Sequence, residues 1–114
     1  MAQFMLLVRG GGAMPQHFTP EQVQQALQRY FDWSDKLRSE GRYHDANELN
    51  DGGRTVRMRG GQAVVDGPYV ETKEAIGGYY LIEAANEDEA AEIAKGCPVL
   101  GHGGLVDVRE IAVH

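Results

Sequence analysis

Cysteine is nearly absent from this sequence, in which Cys97 is the single one among 114 residues. One cysteine cannot form a disulfide within the chain, so we expect packing to hold the fold and a reducing cytoplasm to surround it. Cys97 lies at the end of a predicted helix, and the negative end of a helix disfavours a thiolate. We therefore interpret Cys97 as a small packed hydrophobic residue and not as a nucleophile.

Basic residues are also scarce. The chain has 11 Lys and Arg against 17 Asp and Glu, which gives a formal net charge of −6. Nucleic-acid binding needs clustered basic side chains, and the nearest approach to a cluster is Arg54, Arg57 and Arg59. We therefore predict that nucleic acid is not a partner.

Long apolar runs are missing as well. The run FMLLV, residues 4–8, is far shorter than a membrane span and lacks the flanks of a signal peptide, so we predict no membrane association. The glycines at 10–12 have neither the spacing of a dinucleotide-binding loop nor a following Gly-Lys-Ser/Thr, which argues against a nucleotide site. The four histidines are not spaced as metal ligands, so neither a metal nor another cofactor is predicted.

The first half of the chain contains clear signals for three kinds of element. Residues 3–9 are apolar and bounded by glycine, which is typical of a buried strand. Thr19 and Pro20 predict the start of a helix, because threonine caps well and proline suits the first helical turn. Gly60 and Gly61 predict the two-residue turn of a β-hairpin. The helix should bury one apolar face; its members are Val23, Ala26, Leu27, Tyr30, Ser34 and Leu37, with Phe31 and Trp33 at its flanks.

The second half adds a strand, a helix and a final strand. Asn86 predicts the cap of the second helix, which Gly96 should end. The segment RYHDANEL, residues 42–49, is a further and more polar strand candidate before the hairpin. The order is therefore strand, helix, strand, hairpin, strand, helix, strand in one domain, residues 1–114. It predicts an α+β fold of the ferredoxin-like split βαβ type with an inserted β-hairpin. Both helices would cover one face of a four-stranded antiparallel sheet.

The two central strands, FMLLV and YYLI, are apolar at successive positions, so both faces of the sheet need to be covered. The helices can cover one face, and no element remains for the other. An uncovered face would leave a large exposed apolar patch. We therefore predict a homodimer in which two sheet faces pack together.

The stretch VVDGPYVETKEAIGGYYLIEA, residues 64–84, resembles the signature of the YCII-related, DGPF-type family, also called the DGPFAETKE family. The segments FMLLVRG, KGCPVLGHGG and VDVREI look like further blocks of that family, so the resemblance covers nearly the whole chain. Tyr69 and Val70 stand where the family's name has Phe and Ala. The resemblance implies a ferredoxin-like domain and a dimeric α+β barrel.

The resemblance also implies two kinds of function. The YCII branch has been proposed to be enzymatic around a histidine–aspartate pair, and many DGPF-type relatives look like genomic companions of extracytoplasmic-function sigma factors. With the segment SEGR aligned, the branch's helix histidine falls at Tyr30. A phenol with an ordinary pKa near 10 is a poor base at pH 7, but it can donate a hydrogen bond.

Two carboxylates of the signature are candidate acid–base groups. The Asp66 side chain either bonds the backbone of its own turn or points into a cleft with a shifted pKa, and both interpretations remain open. Lys73 and Glu74 adjoin a strand that must be buried, and Glu74 is the better candidate for an inward acid–base role.

Two histidines are further candidates. His44 could act as a general base if it meets Asp66 or Glu74 across the sheet. Neighbours on a strand face opposite sides, so His44 and Asp45 are not expected to form a pair. His102, in a glycine-rich loop, is a candidate contact to a ligand or partner.

Two functions of different classes fit these observations. In the first, the protein is a small-molecule binder or a metal-independent acid–base enzyme, with its pocket near the Asp66–Glu74 motif. The predicted ligand contacts are Tyr30, Trp33, Asn47, Tyr69, Lys73, Tyr80 and His102. In the second, the protein is a non-catalytic regulator whose acidic surface attracts a protein partner, for example a sigma factor.

Overall fold

The structure, a computed structural model, describes residues 1–10, 18–50, 52–67 and 75–114. Along these residues the chain forms six strands, two α-helices and a short 3-10 helix, Pro98–His102, before the last strand. The strands and α-helices are, in chain order, β1 (Ala2–Arg9), α1 (Pro20–Ser39), β2 (Tyr43–Glu48), β3 (Thr55–Arg59), β4 (Gln62–Asp66), β5 (Ile76–Ala84), α2 (Glu87–Ala94) and β6 (Leu105–Glu110).

Four of the strands form one antiparallel sheet in the order β2-β5-β1-β6. Strands β3 and β4 pair with each other as a separate hairpin between β2 and β5. The predicted ferredoxin-like split βαβ with an inserted hairpin is therefore confirmed. None of the helices in these ranges has the length and apolar character needed to cross a membrane.

Helix α1 begins where the sequence predicts. The Thr19 hydroxyl accepts a hydrogen bond from the Gln22 N–H at 3.2 Å, and Gln22 Oε1 accepts one from the Thr19 N–H at 2.9 Å. This reciprocal capping box satisfies two N–H groups that a helix start would otherwise leave unpaired. Gly41 follows the helix with a φ of +72°, a left-handed conformation that glycine adopts without steric cost.

Arg42 connects helix α2 to the segment between α1 and β2. Its guanidinium donates a hydrogen bond to Glu89 Oε1 at 2.7 Å and lies 3.4 Å from Glu40. Glu89 also accepts from the Ala85 N–H, and the Arg42 and Ala85 bonds lower the pKa of Glu89. The predicted Asn86 cap is confirmed, because its side chain accepts from the Glu89 N–H at 2.9 Å.

The core lies between the helices and one face of the sheet. Strands β1 and β5 direct alternate side chains into it, and Phe4, Leu6 and Ile82 are fully buried. Leu37 of α1 and Val99 of the 3-10 helix are buried at 1% exposure against them. Burying one such aliphatic or aromatic side chain stabilises the fold by roughly 1.5–3 kcal/mol.

The buried face of α1 differs from the predicted one. Trp33, expected at the flank, is in the core at 8% exposure, whereas Leu27 is 37% exposed and Phe31 is 61% exposed. Leu27 and Phe31 border a cleft between α1 and the sheet, so the helix does not pack on the sheet along its whole apolar face.

The β3–β4 hairpin turns at the predicted glycines. Gly60 has a φ of +59° and Gly61 a φ of +81°, the two positive values that a type I′ turn needs. The strands are in register from the pair Thr55–Asp66 to the pair Arg59–Gln62.

Two adjacent glycines of β5 offer a matched test of the packing between β5 and β2. A Cβ at Gly78 would lie 2.8 Å from the Asn47 carbonyl oxygen, whereas one at Gly77 would meet only Val8 O at 4.0 Å. We expect Gly78→Ala to lower the free energy of unfolding by about 1–3 kcal/mol, because the strands must move apart. Gly77→Ala should change it by less than about 1 kcal/mol. Urea unfolding followed by circular dichroism measures both; equal losses would contradict the close approach at Gly78.

The buried environment of Cys97 predicts an unreactive thiol. Cys97 is 3% exposed, and burial raises the pKa of its thiol to about 11. At pH 8 the thiolate fraction is then on the order of one in a thousand. We expect a chromogenic disulfide reagent to label the native protein far more slowly than the protein in guanidinium chloride. Rapid labelling of the native protein would show that Cys97 is accessible.

Candidate functional site

A cleft of about 280 Å³ opens between α1 and the neighbouring strands β2 and β5. It exists because three facing positions, Ser34, Ala46 and Gly78, carry small side chains or none, so helix and sheet do not fill the space between them. Its walls are aromatic on both sides. The aromatic residues are Tyr30 and Phe31 on α1 and Tyr43 and Tyr80 on the sheet.

Two tyrosine hydroxyls border this cleft as protonated groups. Burial raises the pKa of Tyr30 well above its usual range, and the nearby Cys97, Tyr80 and Glu48 would repel its anion further. Burial also raises the pKa of Tyr80, an effect that the hydrogen bond to Ser34 partly opposes. The Tyr80 and Ser34 hydroxyls are 3.0 Å apart and satisfy each other. The Tyr30 hydroxyl makes no hydrogen bond to any residue in the described ranges, so with respect to these residues it can donate to a ligand.

One cation and one carboxylate belong to the described lining of the cleft. Arg38 lies over the Tyr43 ring, with its guanidinium carbon 4.2 Å from the ring centroid, and it pairs with Asp35 at 3.0 Å. Glu48 is on β2 at the position paired with Gly78, so its side chain lies on the helix side of the sheet. The cleft therefore combines an apolar body with two opposite charges.

Asn47, a predicted ligand contact, borders the cleft but directs its side chain to the other face of the sheet. Its Nδ2 donates to the Tyr79 hydroxyl at 2.9 Å, and that hydroxyl donates to Asp45 Oδ2 at 3.1 Å. His44 is on the same face of the sheet as Tyr79. Its Nε2 lies 3.3 Å from Glu83, and Glu83 shares a face with Tyr79 because the two are four positions apart on β5.

A register irregularity explains why His44 and Asp45 share a face. The pairing of β2 with β5 shifts between Tyr43 and Asp45, and such a bulge breaks the strict alternation of side chains. The expectation that the two residues face opposite sides is therefore wrong. His44 lies across the sheet from the cleft, and its general-base role stays a prediction.

Asp66, the other described acid–base candidate, is in the hairpin and does not line the cleft. Its Oδ2 lies 2.7 Å from Arg57 Nε and 3.8 Å from Arg59. The carboxylate thus pairs across the hairpin with two cations. A catalytic role for Asp66 remains a prediction.

The other predicted site residues are in different places. Trp33 packs in the core behind the cleft, with its ring 4.6 Å from the Tyr80 ring. His102, in the 3-10 helix, has its ring 5.6 Å from the Phe18 ring and does not border the cleft. Tyr69, Lys73 and Glu74 lie outside the described residues. Within the described part of the chain, no three His, Cys, Asp or Glu side chains are grouped as metal ligands.

Of the predicted ligand contacts, Tyr30 and Tyr80 line the cleft, and Asn47 borders it with its side chain on the other face of the sheet. The structure adds three lining residues that sequence reasoning missed, namely Ser34, Arg38 and Glu48. A usable signal existed for two of them. Ser34 and Arg38 follow Tyr30 at four and eight residues, the spacing of one helical face. Glu48 had no such signal, because its position depends on the pairing of β2 with β5.

The chain is similar to a curated relative and to a solved structure. One curated relative, "Uncharacterized protein R00369" of Rhizobium meliloti (strain 1021), is 39% identical over 62 residues, which are 53% of this chain. The match spans half of that relative's length. A solved structure, 5-chloro-2-hydroxyhydroquinone dehydrochlorinase (TftG) from Burkholderia phenoliruptrix AC1100 in complex with 2,5-dihydroxybenzoquinone, aligns over 92% of this chain and 90% of that one. Its sequence identity is 14% and its TM-score 0.45, and at that level two chains need share neither substrate nor mechanism.

The family model gives the broadest match. The model of the YCII-related domain matches residues 3–113, nearly the full length of the chain. The protein belongs to the YCII-related domain family.

Proposed function

We propose that this protein binds a small planar molecule in the cleft between α1 and the sheet. The observation that carries the proposal is the Tyr30 hydroxyl. It is held protonated among aromatic side chains, and it lacks a hydrogen-bond partner in the described part of the chain. A protonated hydroxyl without a protein partner at the border of a cleft is available to donate a hydrogen bond to a ligand.

The size and walls of the cleft limit the ligand to a compact, flat molecule. Sites for drug-sized molecules have about 300–1,000 Å³, and this cleft has about 280 Å³, room for one or two rings. Tyr43 and Tyr80 supply aromatic surface against which such rings can pack in offset or edge geometry.

The charges at the cleft favour an acidic group on the ligand and proton transfer as its chemistry. Arg38 is the described cation there, and a guanidinium suits a carboxylate through paired hydrogen bonds. For acid–base chemistry, Glu48 is the lining carboxylate that can accept a proton. Tyr30 then donates a hydrogen bond to the ligand oxygen that gains negative charge.

We also keep the homodimer as a proposal, supported by the sheet face without helices, here called the open face. At its centre Met5 pairs with Leu81 and Leu7 pairs with Tyr79, and these side chains are only partly buried. Charged groups surround this centre. They include Arg9 and Asp107, 2.8 Å apart as an ion pair without hydrogen-bond geometry, and His44 beside Glu83. An apolar centre within a polar rim is the usual anatomy of a protein interface. A cytoplasmic location likewise remains our prediction.

The ligand proposal can be tested with benzoate and benzamide, which share a ring and differ in charge. The fluorescence of Trp33, the single tryptophan, should report binding because its ring contacts Tyr80. We expect Ala46→Leu, which fills the cleft, to weaken benzoate binding at least about tenfold, a loss of about 1.4 kcal/mol. Ala46→Ser keeps the space open and should bind as the parent does. Equal binding by the leucine variant would exclude the cleft as the site.

The charge selectivity of the cleft gives a separate test. Arg38→Gln should weaken benzoate binding about tenfold and leave benzamide binding nearly unchanged, because one charge-assisted contact is lost. The matched control is Arg29→Gln, an exposed arginine of the same helix that does not border the cleft. Equal losses for both probes would contradict the assignment of Arg38 to an acidic group.

Light scattering tests the homodimer at micromolar concentration. The parent protein should have twice the mass of the chain, and Leu81→Lys should give monomers because it buries a charge in the open face. Leu100→Lys, at a leucine that is 45% exposed on the 3-10 helix, should remain dimeric. A monomeric parent would contradict the proposal.

A further inference from the structure

The β3–β4 hairpin has one face with no cover in the described part of the chain. Val56 pairs with Val65 and Met58 pairs with Ala63, so these four side chains lie on one face, here called the arm face. Val56 is 66% exposed, Met58 68% and Val65 58%. Such exposure at adjacent apolar positions is unlike scattered single surface residues and marks an interaction surface.

The opposite face of the hairpin is already satisfied. It carries Arg57 and Arg59, both paired with Asp66. The hairpin therefore has one charged face suited to water and one apolar face suited to burial. A two-stranded hairpin is marginally stable alone, and packing on its apolar face is what such a hairpin needs.

The hairpin is separate from the four-stranded sheet. Its two strands pair with each other and with none of the strands β1, β2, β5 and β6. Two further apolar side chains are exposed in the segments that flank the hairpin along the chain, Leu49 at 45% and Ile76 at 44%. The arm is thus an apolar projection and not a part of the core.

Charge indicates what covers the arm face. Arg54, Arg57 and Arg59 against Asp66 give residues 52–67 a formal charge of +2, so the rest of a chain of charge −6 carries −8. A basic arm on an acidic body is complementary to a second copy of the same chain. Opposite charges of this kind steer association and select the partner.

We propose that the arm face of one subunit packs against the body of a second copy, in addition to the proposed contact between open faces. The interface then has two parts, the contact between open faces and the contact made by the apolar arm face. The net positive charge of the arm favours its approach to the acidic partner. The second part is sensitive to salt, because the charges at its edge are exposed to solvent. The proposal rests on self-association of the protein, and its test separates the two parts.

Val64 and Val65 provide a matched pair, because neighbours on one strand face opposite sides of the hairpin. We expect the double variant Val56→Ser, Val65→Ser to raise the dimer dissociation constant at least about tenfold in sedimentation equilibrium, a change of about 1.4 kcal/mol. Val64→Ser makes the same chemical change on the charged face and should alter the constant less than about threefold. The same constant for all three proteins would overturn the role of the arm, even where Leu81→Lys still gives monomers.

Thiol labelling gives a second readout that needs no loss of stability. Cys97 is buried, so Met58→Cys and Gln62→Cys each place one accessible thiol on the arm, on opposite faces, without changing its charge. Maleimide should label the Met58→Cys protein more slowly as the protein concentration rises through the dissociation constant, and 0.5 M salt should restore the fast rate. The Gln62→Cys protein should be labelled at one rate throughout. A Met58→Cys rate independent of concentration, or protection that needs a different protein, would overturn the proposal.

Discussion

The two central strands, β1 and β5, are apolar on both of their faces, and the rest of the structure depends on this constraint. On one face, Phe4, Leu6 and Ile82 are fully buried beneath the helices. On the other, Met5 and Leu81 form the centre of the open face. A sheet with two apolar faces needs two covers. The helices cover one face, and in the proposed homodimer a second copy covers the other.

The cleft follows from how α1 covers its side of the sheet. Trp33 and Leu37 pack into the core, whereas Ser34 faces Tyr80 at a point where Gly78 leaves the sheet without a side chain. The gap that results is lined by aromatic rings, and burial keeps the hydroxyl of Tyr30 protonated. Incomplete packing between α1 and the sheet thus leaves a cleft with the neutral Tyr30 hydroxyl as a hydrogen-bond donor. Arg38 and Glu48 add one positive and one negative charge at its border.

The hairpin and the open face share one feature, an uncovered apolar surface. Each presents apolar side chains for which the described chain has no cover, and each borders them with charge. The cleft opens on the helix side of the sheet, so association through the open face leaves it accessible. The proposed ligand and the proposed second copy therefore use opposite sides of the sheet. Which branch of the family this chain represents, the DGPF type or another, stays a prediction from residues 64–84.

Local chemistry alone determined most of the fold. The capping box at Thr19, the Asn86 cap and the positive-φ turn at Gly60 and Gly61 lie within a few residues, where steric and hydrogen-bonding preferences act directly. The tertiary structure decided the site. It placed Tyr30 of α1 and Glu48 of β2 at the same cleft, because β2 pairs with β5 in the register that puts Glu48 opposite Gly78. A bulge in β2 placed His44 on the open face, away from the cleft. Such placements depend on register between distant segments, and one residue of shift moves a side chain to the opposite face.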